Sequence, residues 1–324
     1  MNDRPLVSII TPSFNQAAFL EETIHSVISQ DYPSIEYWII DGGSTDGSLE
    51  IIKQYAHQLK GWVSERDAGQ ADAINKGLQK ASGEVLAWLN SDDLYRPGAI
   101  KRAVKQLYAN PDVGLVYSDV DSIDEYGETF NRMRYGHWQL QDLMAFNIIG
   151  QSSVFFRRSV FESAGYLDPS YHYMLDHHLW LRMALTTKLK YMPGEVWAAA
   201  RMHESAKNVA EGEGFGREAY RLVAWMHADQ RFKPYLENHT HKVWAGAHRV
   251  NAFYLLDSGK PREALRAYWR GFWSYSPTVL QDWRRILFAL LSPFGVDRLR
   301  SRYLERRKTR LNQVESEVAK DYER

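Results

Sequence analysis

Two adjacent carboxylates, Asp92 and Asp93, follow a short apolar run at residues 85–89. The run has the length and composition of a buried strand. A pair of acids at the end of such a strand is costly unless a cation or hydrogen-bond donors compensate it. Hard oxygen ligands suit Mg²⁺ or Mn²⁺, so the pair predicts a divalent-cation site that carries a diphosphate. The alternative interpretation is a solvated turn, the usual setting of paired acids.

A second candidate is the turn at residues 41–47, which begins with Asp41 and contains Gly42, Gly43 and Gly47. Glycine tolerates positive φ and lets a ligand approach the backbone. The turn does not have the G-x-G-x-x-G pattern of dinucleotide sites, and it lacks the Gly-Lys-Ser/Thr of a Walker loop. Taken alone, it fits an ordinary strand-to-helix turn as well as it fits a ligand-binding loop.

Strand-like and helix-like segments alternate over the first 117 residues. The predicted strands are residues 6–10, 35–40, 62–64, 85–89 and 113–117. The segments between them show helical spacing of apolar residues, which predicts a mostly parallel, doubly wound α/β sheet.

Each predicted strand is followed by a polar loop that contains an acid or an amide. These residues are Asn15, Asp41, Asp67, the pair Asp92 and Asp93, and Asp119. Ligands of open α/β sheets bind at the carboxyl ends of the strands, so the loops predict one ligand site along one sheet edge.

The alternation ends after Asp121, and from residue 211 onward the pattern indicates helices only. Glycines at 212, 214 and 216 mark the change. We therefore predict a catalytic domain at residues 1–210 and an α-helical region at 211–324. Asp176 begins an amphipathic helical segment, where an acid also complements the helix dipole. His203 stands alone, a setting more typical of structural than of ligating histidines.

The bulk composition excludes several classes of function. The chain has no cysteine, so disulfides, thiolate zinc sites and a cysteine nucleophile are excluded. Lys plus Arg equals Asp plus Glu at 40 each, which gives no electrostatic case for binding nucleic acid. No apolar run approaches the roughly 20 residues of a membrane-spanning helix. These observations favour a cytoplasmic protein.

Taken together, several stretches resemble the family-2 glycosyltransferases of the GT-A fold. The most specific are residues 41–46 (DGGSTD), 67–77 (DAGQADAINKG) and 89–93 (LNSDD), and the resemblance covers roughly residues 5–210. It implies a Rossmann-like mixed sheet. It also implies an inverting enzyme that moves a sugar from a nucleotide-diphosphate sugar, with UDP favoured, to a hydroxyl of a glycan or lipid-linked glycan. The implied setting is bacterial cell-surface polysaccharide synthesis.

The resemblance also implies residue roles. The nucleotide-sugar contacts are Thr11, Pro12, Asn15, Asp41, Asp67, Lys76 and Asp92. Asp93 would be the main ligand of Mg²⁺ or Mn²⁺ and His203 a second one, Asp176 the general base, and Gln151 and Trp180 part of the acceptor region. Four positions depart from the family pattern: Leu175 stands in place of Glu, His178 in place of a frequent Asp, Ile74 in place of Arg, and Asn90 at the start of the DxD-like triplet.

Two other functions use similar residues. A nucleotidyltransferase also combines a doubly wound sheet with acids and Mg²⁺, but it needs a Gly-rich, cationic first loop, and residues 11–15 (TPSFN) have neither feature. A glycan-binding relative without activity is the third class, and the presence of Asp93 and Asp176 argues against it.

Arginine and aromatic residues dominate the C-terminal part of the chain. Between Arg262 and Arg310, basic residues far outnumber acids, and Trp269, Trp273 and Trp283 lie among them. Such helices fit a peripheral contact with an anionic membrane at the inner face of the cytoplasmic membrane. They also fit a helical subdomain that packs on the catalytic domain and turns its arginines to solvent, an interpretation that we prefer slightly and that is compatible with the first.

Overall fold

The computed structural model describes residues 4–203 and 212–292. These residues form two compact units. The first contains residues 4–121, 133–140 and 148–201, and the second contains residues 122–132, 141–147, 202–203 and 212–292. The division of the chain at residue 211 stays a prediction.

Within the described residues, one mixed sheet has nine strands. They are β1 (Val7–Ser13), β2 (Ile35–Asp41), β3 (Gly61–Ser64), β4 (Val85–Trp88), β5 (Leu94–Tyr95), β6 (Val113–Ile123), β7 (Thr129–Met133), β8 (Phe155–Arg157) and β9 (Lys188–Arg201). The strand order is β3-β2-β1-β4-β8-β6-β9-β5, and β7 pairs with β6. The four strands β3-β2-β1-β4 are parallel, whereas β8 is antiparallel to β4 and β6, and β5 is antiparallel to β9.

Helices separate most of these strands along the chain. They are α1 (Ala17–Ile28), α2 (Ser48–Tyr55), α3 (Gln70–Lys80), α4 (Ala99–Ala109), α5 (Leu140–Met144), α6 (Arg158–Ala164), α7 (Leu175–Ala184), α8 (Gly212–Ala228), α9 (Lys233–Leu236), α10 (Thr240–Asp257), α11 (Pro261–Leu280) and α12 (Trp283–Leu291). All residues of β1 and β4 are buried, as expected for parallel strands covered on both faces. The predicted strand–helix alternation is therefore confirmed.

Strand β1 continues through Pro12, where the sequence predicted a loop. Thr11, Pro12 and Ser13 pair in register with Ile39, Ile40 and Asp41 of β2. The pairing of β1 with β4 stops at Ile10 and Trp88, two residues before Pro12. Successive residues direct their backbone groups to alternate neighbours, and the Leu89 N–H bonds the Ile10 carbonyl. The missing N–H of Pro12 therefore faces the side where no ladder bond is made, and the proline is tolerated.

Strand β6 also extends beyond its predicted end. Asp119 was predicted to lie in a loop, but the strand continues to Ile123 and buries both Asp119 and Asp121. Each acid has a partner from a distant segment. The Tyr191 hydroxyl donates to Asp119, and the Arg96 Nη2 lies 2.8 Å from an Asp121 Oδ2. Buried carboxylates that are paired in this way do not end a strand.

The helices of the second unit pack mainly on α10. Both α8 and α11 contact it, and the turn between α10 and α11 contains Gly259 at φ +73°. Helix α10 approaches the backbone after α5 closely, because a Cβ on Gly246 would lie 2.1 Å from the Ala145 carbonyl oxygen. None of the helices in residues 4–203 and 212–292 is both long and apolar enough to cross a bilayer.

Helix α3 depends on a glycine for its contact with β1. A Cβ on Gly77 would lie 2.4 Å from Cγ2 of Ile10, a side chain that is completely buried. Gly77→Ala should therefore destabilise the fold. Overpacking costs about 1–3 kcal/mol, which outweighs a gain in helix propensity of roughly 1 kcal/mol. Urea unfolding would measure the net effect. The exposed Gln79→Ala on the same helix is the control, and a Gly77→Ala variant as stable as the parent would contradict the close packing.

Candidate active site

The parallel strands bring four of the predicted site residues to one edge of the sheet. In the order β3, β2, β1 and β4, their carboxyl ends carry Asp67, Asp41, Asn15 and Asp93. The three parallel pairings align these ends. The prediction that these loops share one edge is confirmed, except for Asp119, which lies within β6.

Asp41 ends β2 and organises the glycine turn after it. Its side chain is completely buried, and its Oδ2 accepts hydrogen bonds from the backbone N–H groups of Gly43 and Ser44 at 3.1 and 3.0 Å. The Ser64 hydroxyl, from the end of β3, donates to the same oxygen at 2.7 Å. These donors explain how a buried carboxylate is accommodated here. The structure thus shows Asp41 as the residue that shapes the turn, and its contact with a base stays a prediction.

The first two loops are joined by reciprocal hydrogen bonds. Asn15 adopts a left-handed backbone conformation, at φ 51°, which asparagine tolerates better than most residues. Its backbone N–H donates to the Ser44 hydroxyl at 2.8 Å, and its side-chain oxygen accepts from the Thr45 N–H at 2.9 Å. Asp46 accepts from the Ala17 N–H at 2.9 Å, at the start of α1. The loops after β1 and β2 therefore form one rigid platform.

Asp67 stands against this platform because Gly42 has no side chain. A Cβ on Gly42 would lie 2.7 Å from the Asp67 Oδ2. The other carboxylate oxygen of Asp67 accepts from the Gly69 N–H at 2.8 Å, which holds the loop before α3. The glycine of the DGGSTD stretch thus provides room for the acid of the next loop.

Asp93 is a buried acid with little compensation. It is 6% exposed, and burial, followed by the charge of Asp92, raises its pKa well above the ordinary value of 3.8. The Arg201 backbone N–H at 3.1 Å and the Asn90 side chain at 3.4 Å act in the opposite direction without cancelling the shift. Asn90 is itself fixed by Gln70, whose side-chain amide donates to it at 2.8 Å.

Arg201 is a site residue that the sequence reasoning missed. It ends β9, and Leu94 pairs with Ala199 in the antiparallel β5–β9 ladder, so Arg201 lies beside Asp92. Its Nε donates to the Asp92 carbonyl at 3.1 Å, and its guanidinium pairs with Glu22 at 2.5 Å. The side chain is completely buried and stacks 4.8 Å from the ring centre of Phe19. The signal in the sequence was a single arginine at the end of an apolar strand.

The residues of the Asp92–Asp93 loop fit a divalent cation. The ionised form of Asp93 is disfavoured by burial and by the neighbouring charge of Asp92, which raises its pKa. A bound cation would favour the ionised form and so compensate both effects. Among residues 4–203 and 212–292, no group of three or more His, Cys, Asp and Glu side chains could hold a metal. One or two carboxylates with diphosphate oxygens are the ligand set that Mg²⁺ commonly takes. His203 lies two residues after β9, in the second unit, and its role as a ligand stays a prediction.

Trp180 was predicted to belong to the acceptor region. This prediction is wrong, because the residue is buried and anchors helix α7 to β4. It is completely buried, and its ring stacks on Trp88 at 5.1 Å between centroids and 18° between planes. Asp176 lies one turn earlier in α7, and its Oδ1 accepts from the His177 N–H at 2.7 Å. Gln151 donates to the Trp88 carbonyl at 2.8 Å. Trp88 therefore ties α7 and Gln151 to β4, the strand that leads to Asp93.

Thr11 and Lys76 are engaged with protein groups. Thr11 is completely buried, and its hydroxyl lies 2.9 Å from that of Tyr37, so the prediction that it lines a nucleotide pocket is wrong. Pro12 is buried beside it in β1, and its role stays a prediction. Lys76 lies 2.9 Å from Glu65 and 3.4 Å from Asp72. Its predicted contact with phosphate would have to compete with these two acids.

Structural comparison places the fold in a known class. The chain is similar to the S. aureus TarS fragment 1–349 in complex with UDP-GlcNAc, with a TM-score of 0.59 and 15% identity, over 86% of this chain and 92% of that one. It is also similar to the mannosyltransferase PcManGT from Pyrobaculum calidifontis in complex with GDP-Man and Mn²⁺. The TM-score is 0.57 and the identity 23%, over 91% of this chain and 89% of that one. The fold is GT-A, as predicted.

Sequence comparison gives the family. Residues 8–165 match the family Glycosyl transferase family 2, and this part of the chain belongs to it. An uncharacterized glycosyltransferase of Rickettsia typhi is 30% identical over 62% of this chain and 65% of its own length. The putative teichuronic acid biosynthesis glycosyltransferase TuaG of Bacillus subtilis is 38% identical over 32% of this chain and 42% of its own length. The chain thus spans less than two thirds of the length of these two relatives.

Removing the buried charge of Asp93 should stabilise the metal-free protein. Its pKa in the folded chain lies above that of the unfolded chain, so stability falls as pH rises through the interval between the two values. We expect Asp93→Asn to have a higher Tm than the parent in EDTA at neutral pH. The difference should shrink as the pH approaches about 4. Mn²⁺ should raise the Tm of the parent and leave that of Asp93→Asn unchanged.

Asp121→Asn is the matched control for this measurement, because Asp121 is equally buried but pairs with Arg96. It should lose stability and keep the response to Mn²⁺. An equal Mn²⁺ shift in the parent and in Asp93→Asn would contradict the assignment of Asp93 as a ligand.

Arg201 should matter more through its bond to the loop than through its ion pair. Arg201→Lys keeps the charge but loses the guanidinium N–H that donates to the Asp92 carbonyl. We expect this substitution to lower the free energy of unfolding by about 1–3 kcal/mol. The Tm shift caused by Mn²⁺ should also decrease, because the carbonyl tether holds the Asp92–Asp93 loop. Thermal and urea unfolding measure both effects. Glu22→Gln is the control, since Glu22 is 56% exposed. Losses of equal size in the two variants would show that the ion pair, not the tether, matters.

Proposed function

We propose that the chain is an inverting glycosyltransferase that moves a sugar from a nucleotide-diphosphate sugar to a hydroxyl acceptor. The observation that carries the proposal is the position of Asp93. It is buried at the carboxyl end of β4 with a raised pKa, on the same sheet edge as Asp67, Asp41 and Asn15. Membership of glycosyltransferase family 2 supports the reaction class.

The rigid platform formed by the first two loops would receive the nucleotide, with Asp67 beside it. Asp92 would contact the ribose or the sugar. Asp93 would hold Mg²⁺ or Mn²⁺, which neutralises charge on the leaving diphosphate when bound. In support, TarS was solved with UDP-GlcNAc and PcManGT with GDP-Man and Mn²⁺. We favour UDP as the nucleotide of the donor, as the resemblance in the sequence implies.

Asp176 would serve as the general base. The acceptor hydroxyl must lose its proton as it attacks the sugar carbon, and a carboxylate on the face opposite the leaving group gives one displacement with inversion. Asp176 is half-buried at the start of α7, and the Trp180–Trp88 stack fixes that helix on β4. Gln151, tied to the same strand, would contribute to the acceptor side.

The acceptor would be a glycan or a lipid-linked glycan of the bacterial cell envelope, handled from the cytoplasmic side. The name of TuaG, a putative teichuronic acid biosynthesis enzyme, supports this substrate class. The nucleotidyltransferase alternative remains weaker. The loop after β1 contains neither a glycine nor a cation at residues 14–16, and Asn15 ties it to Ser44 and Thr45.

Donor binding and turnover should separate in Asp176→Asn. A thermal-shift screen of UDP-, dTDP- and GDP-sugars with Mn²⁺ should show stabilisation of the parent by one donor class. Asp176→Asn should keep that shift, because the residue acts on the acceptor. Release of nucleoside diphosphate should fall by about 10²–10⁴-fold, the usual contribution of a general base.

Glu162→Gln controls for neutralising an acid near the same helix, because Glu162 lies on α6 with a 63% exposed side chain. It should keep both binding and turnover. Near-normal turnover of Asp176→Asn would exclude the assignment of the base, and the absence of any donor shift in the parent would argue against the proposed reaction.

A further inference from the structure

Helix α11 in the second unit exposes a face made of arginine and tryptophan. Positions 262, 266, 269, 270 and 273 lie on one side of a helix, because residues three, four, seven and eight apart are neighbours. They are Arg262, Arg266, Trp269, Arg270 and Trp273. Trp269 is 62% and Trp273 is 72% exposed, which is unusual for the largest apolar side chain. We call these five residues the arginine–tryptophan face.

The opposite side of α11 is buried in the second unit. Ala264, Ala267 and Tyr268 belong to a core cluster with Leu256 of α10 and Val279. The helix is therefore fixed by a small-residue face, and the large side chains are directed away from the core. The large side chains are exposed because their positions in the sequence of α11 place them on the side of the helix opposite this cluster.

The charge of the arginine–tryptophan face has one sign. None of its three guanidinium groups makes an ion pair with any residue in 4–203 or 212–292. Two acids lie near this face: Glu263 of the same helix is exposed, and Asp282 is half-buried and lies 3.7 Å from Arg249 of α10. Arg266, Trp269 and Arg270, with Leu265, line an open groove of about 310 Å³. Two cations beside an indole ring suit a phosphate group attached to an apolar body.

Helix α12 continues the exposed surface. It packs on α11, and Trp283, Leu287, Leu290 and Leu291 form one side of it, at spacings of four, seven and eight residues. Their exposed fractions lie between 41% and 55%. The Arg284 guanidinium lies 5.3 Å from the centre of the Trp283 ring. The two helices thus present large apolar side chains interleaved with arginines.

We propose that α11 and α12 dock on the surface of a bilayer that contains anionic phospholipids. Tryptophan and leucine would enter the boundary between headgroups and acyl chains, and the arginines would contact lipid phosphates. Each cation held at an anionic membrane surface adds to the affinity. This docking is independent of the proposed sugar transfer, so either proposal can fail alone.

Two other occupants fit the surface less well. A symmetric pair of chains would place the same patch of each copy together, and Arg262, Arg266 and Arg270 would then face like charges. An acidic protein would satisfy the arginines, but it would also have to cover exposed tryptophan and leucine side chains that project from two separate helices. A deformable lipid layer accommodates both kinds of group.

Co-sedimentation of the full chain with vesicles tests the proposal. The parent should bind vesicles of phosphatidylcholine mixed with phosphatidylglycerol, bind pure phosphatidylcholine weakly, and lose binding at high salt. Replacing the three arginines together (Arg262→Gln, Arg266→Gln, Arg270→Gln) should lower the partition coefficient by about 100-fold. The double variant Trp269→Ala, Trp273→Ala should lower it by at least 10-fold, from lost apolar burial. The matched control replaces three exposed lysines of the first unit (Lys53→Gln, Lys60→Gln, Lys105→Gln) and should bind like the parent.

Several results would overturn the proposal. Equal binding to neutral and anionic vesicles, or unchanged binding by both variants, would exclude a role for this surface. A Tm of the tryptophan variant well below that of the lysine control would show that the rings pack against protein. A concentration-dependent dimer that the tryptophan variant abolishes would identify a second copy as the occupant. Tighter binding to polyglutamate than to anionic vesicles would indicate an acidic protein partner.

Discussion

The burial of the Asp93 carboxyl is the constraint on which the candidate site depends. A buried carboxylate next to a second carboxylate is unfavourable, and the raised pKa of Asp93 expresses that cost. The surrounding protein does not remove the cost. It provides the backbone N–H of Arg201, the side-chain amide of Asn90 at 3.4 Å and the positive charge of Arg201, which together do not cancel the shift. A fold optimised only for stability would place an apolar residue here, so the retained acid favours a site that is completed by a cation.

Rigid surroundings are needed if such an acid is to keep its position. On one side, Arg201 holds the Asp92 carbonyl from β9, and on the other, Gln70 of α3 holds Asn90. The neighbouring loops are fixed to one another by hydrogen bonds among Asn15, Ser44 and Thr45. These interactions hold polar groups in place before any ligand arrives, which is the arrangement that lowers the entropy cost of binding.

Local patterns in the sequence were sufficient for the parallel half of the sheet. Apolar runs and the loops after them depend on neighbours along the chain, so the edge that carries Asp67, Asp41, Asn15 and Asp93 could be predicted. The errors arise where a side chain meets a partner from a distant segment. Arg201 and Asp93 are 108 residues apart and meet only through the antiparallel pairing of β5 with β9.

The error at Trp180 has the same origin and a useful consequence. An indole on an amphipathic helix can stack on a sugar or fill a core, and its composition does not distinguish the two. Here it stacks on Trp88, whose strand ends next to the Asp92–Asp93 loop, while Asp176 lies one turn before it on α7. Asp176 is therefore anchored to Trp88 through α7, and Asp93 follows the strand that contains Trp88, in a loop held by Arg201 and Gln70. If the two acids act as the proposed base and metal ligand, these anchors would fix the separation that the two groups need on opposite sides of one sugar.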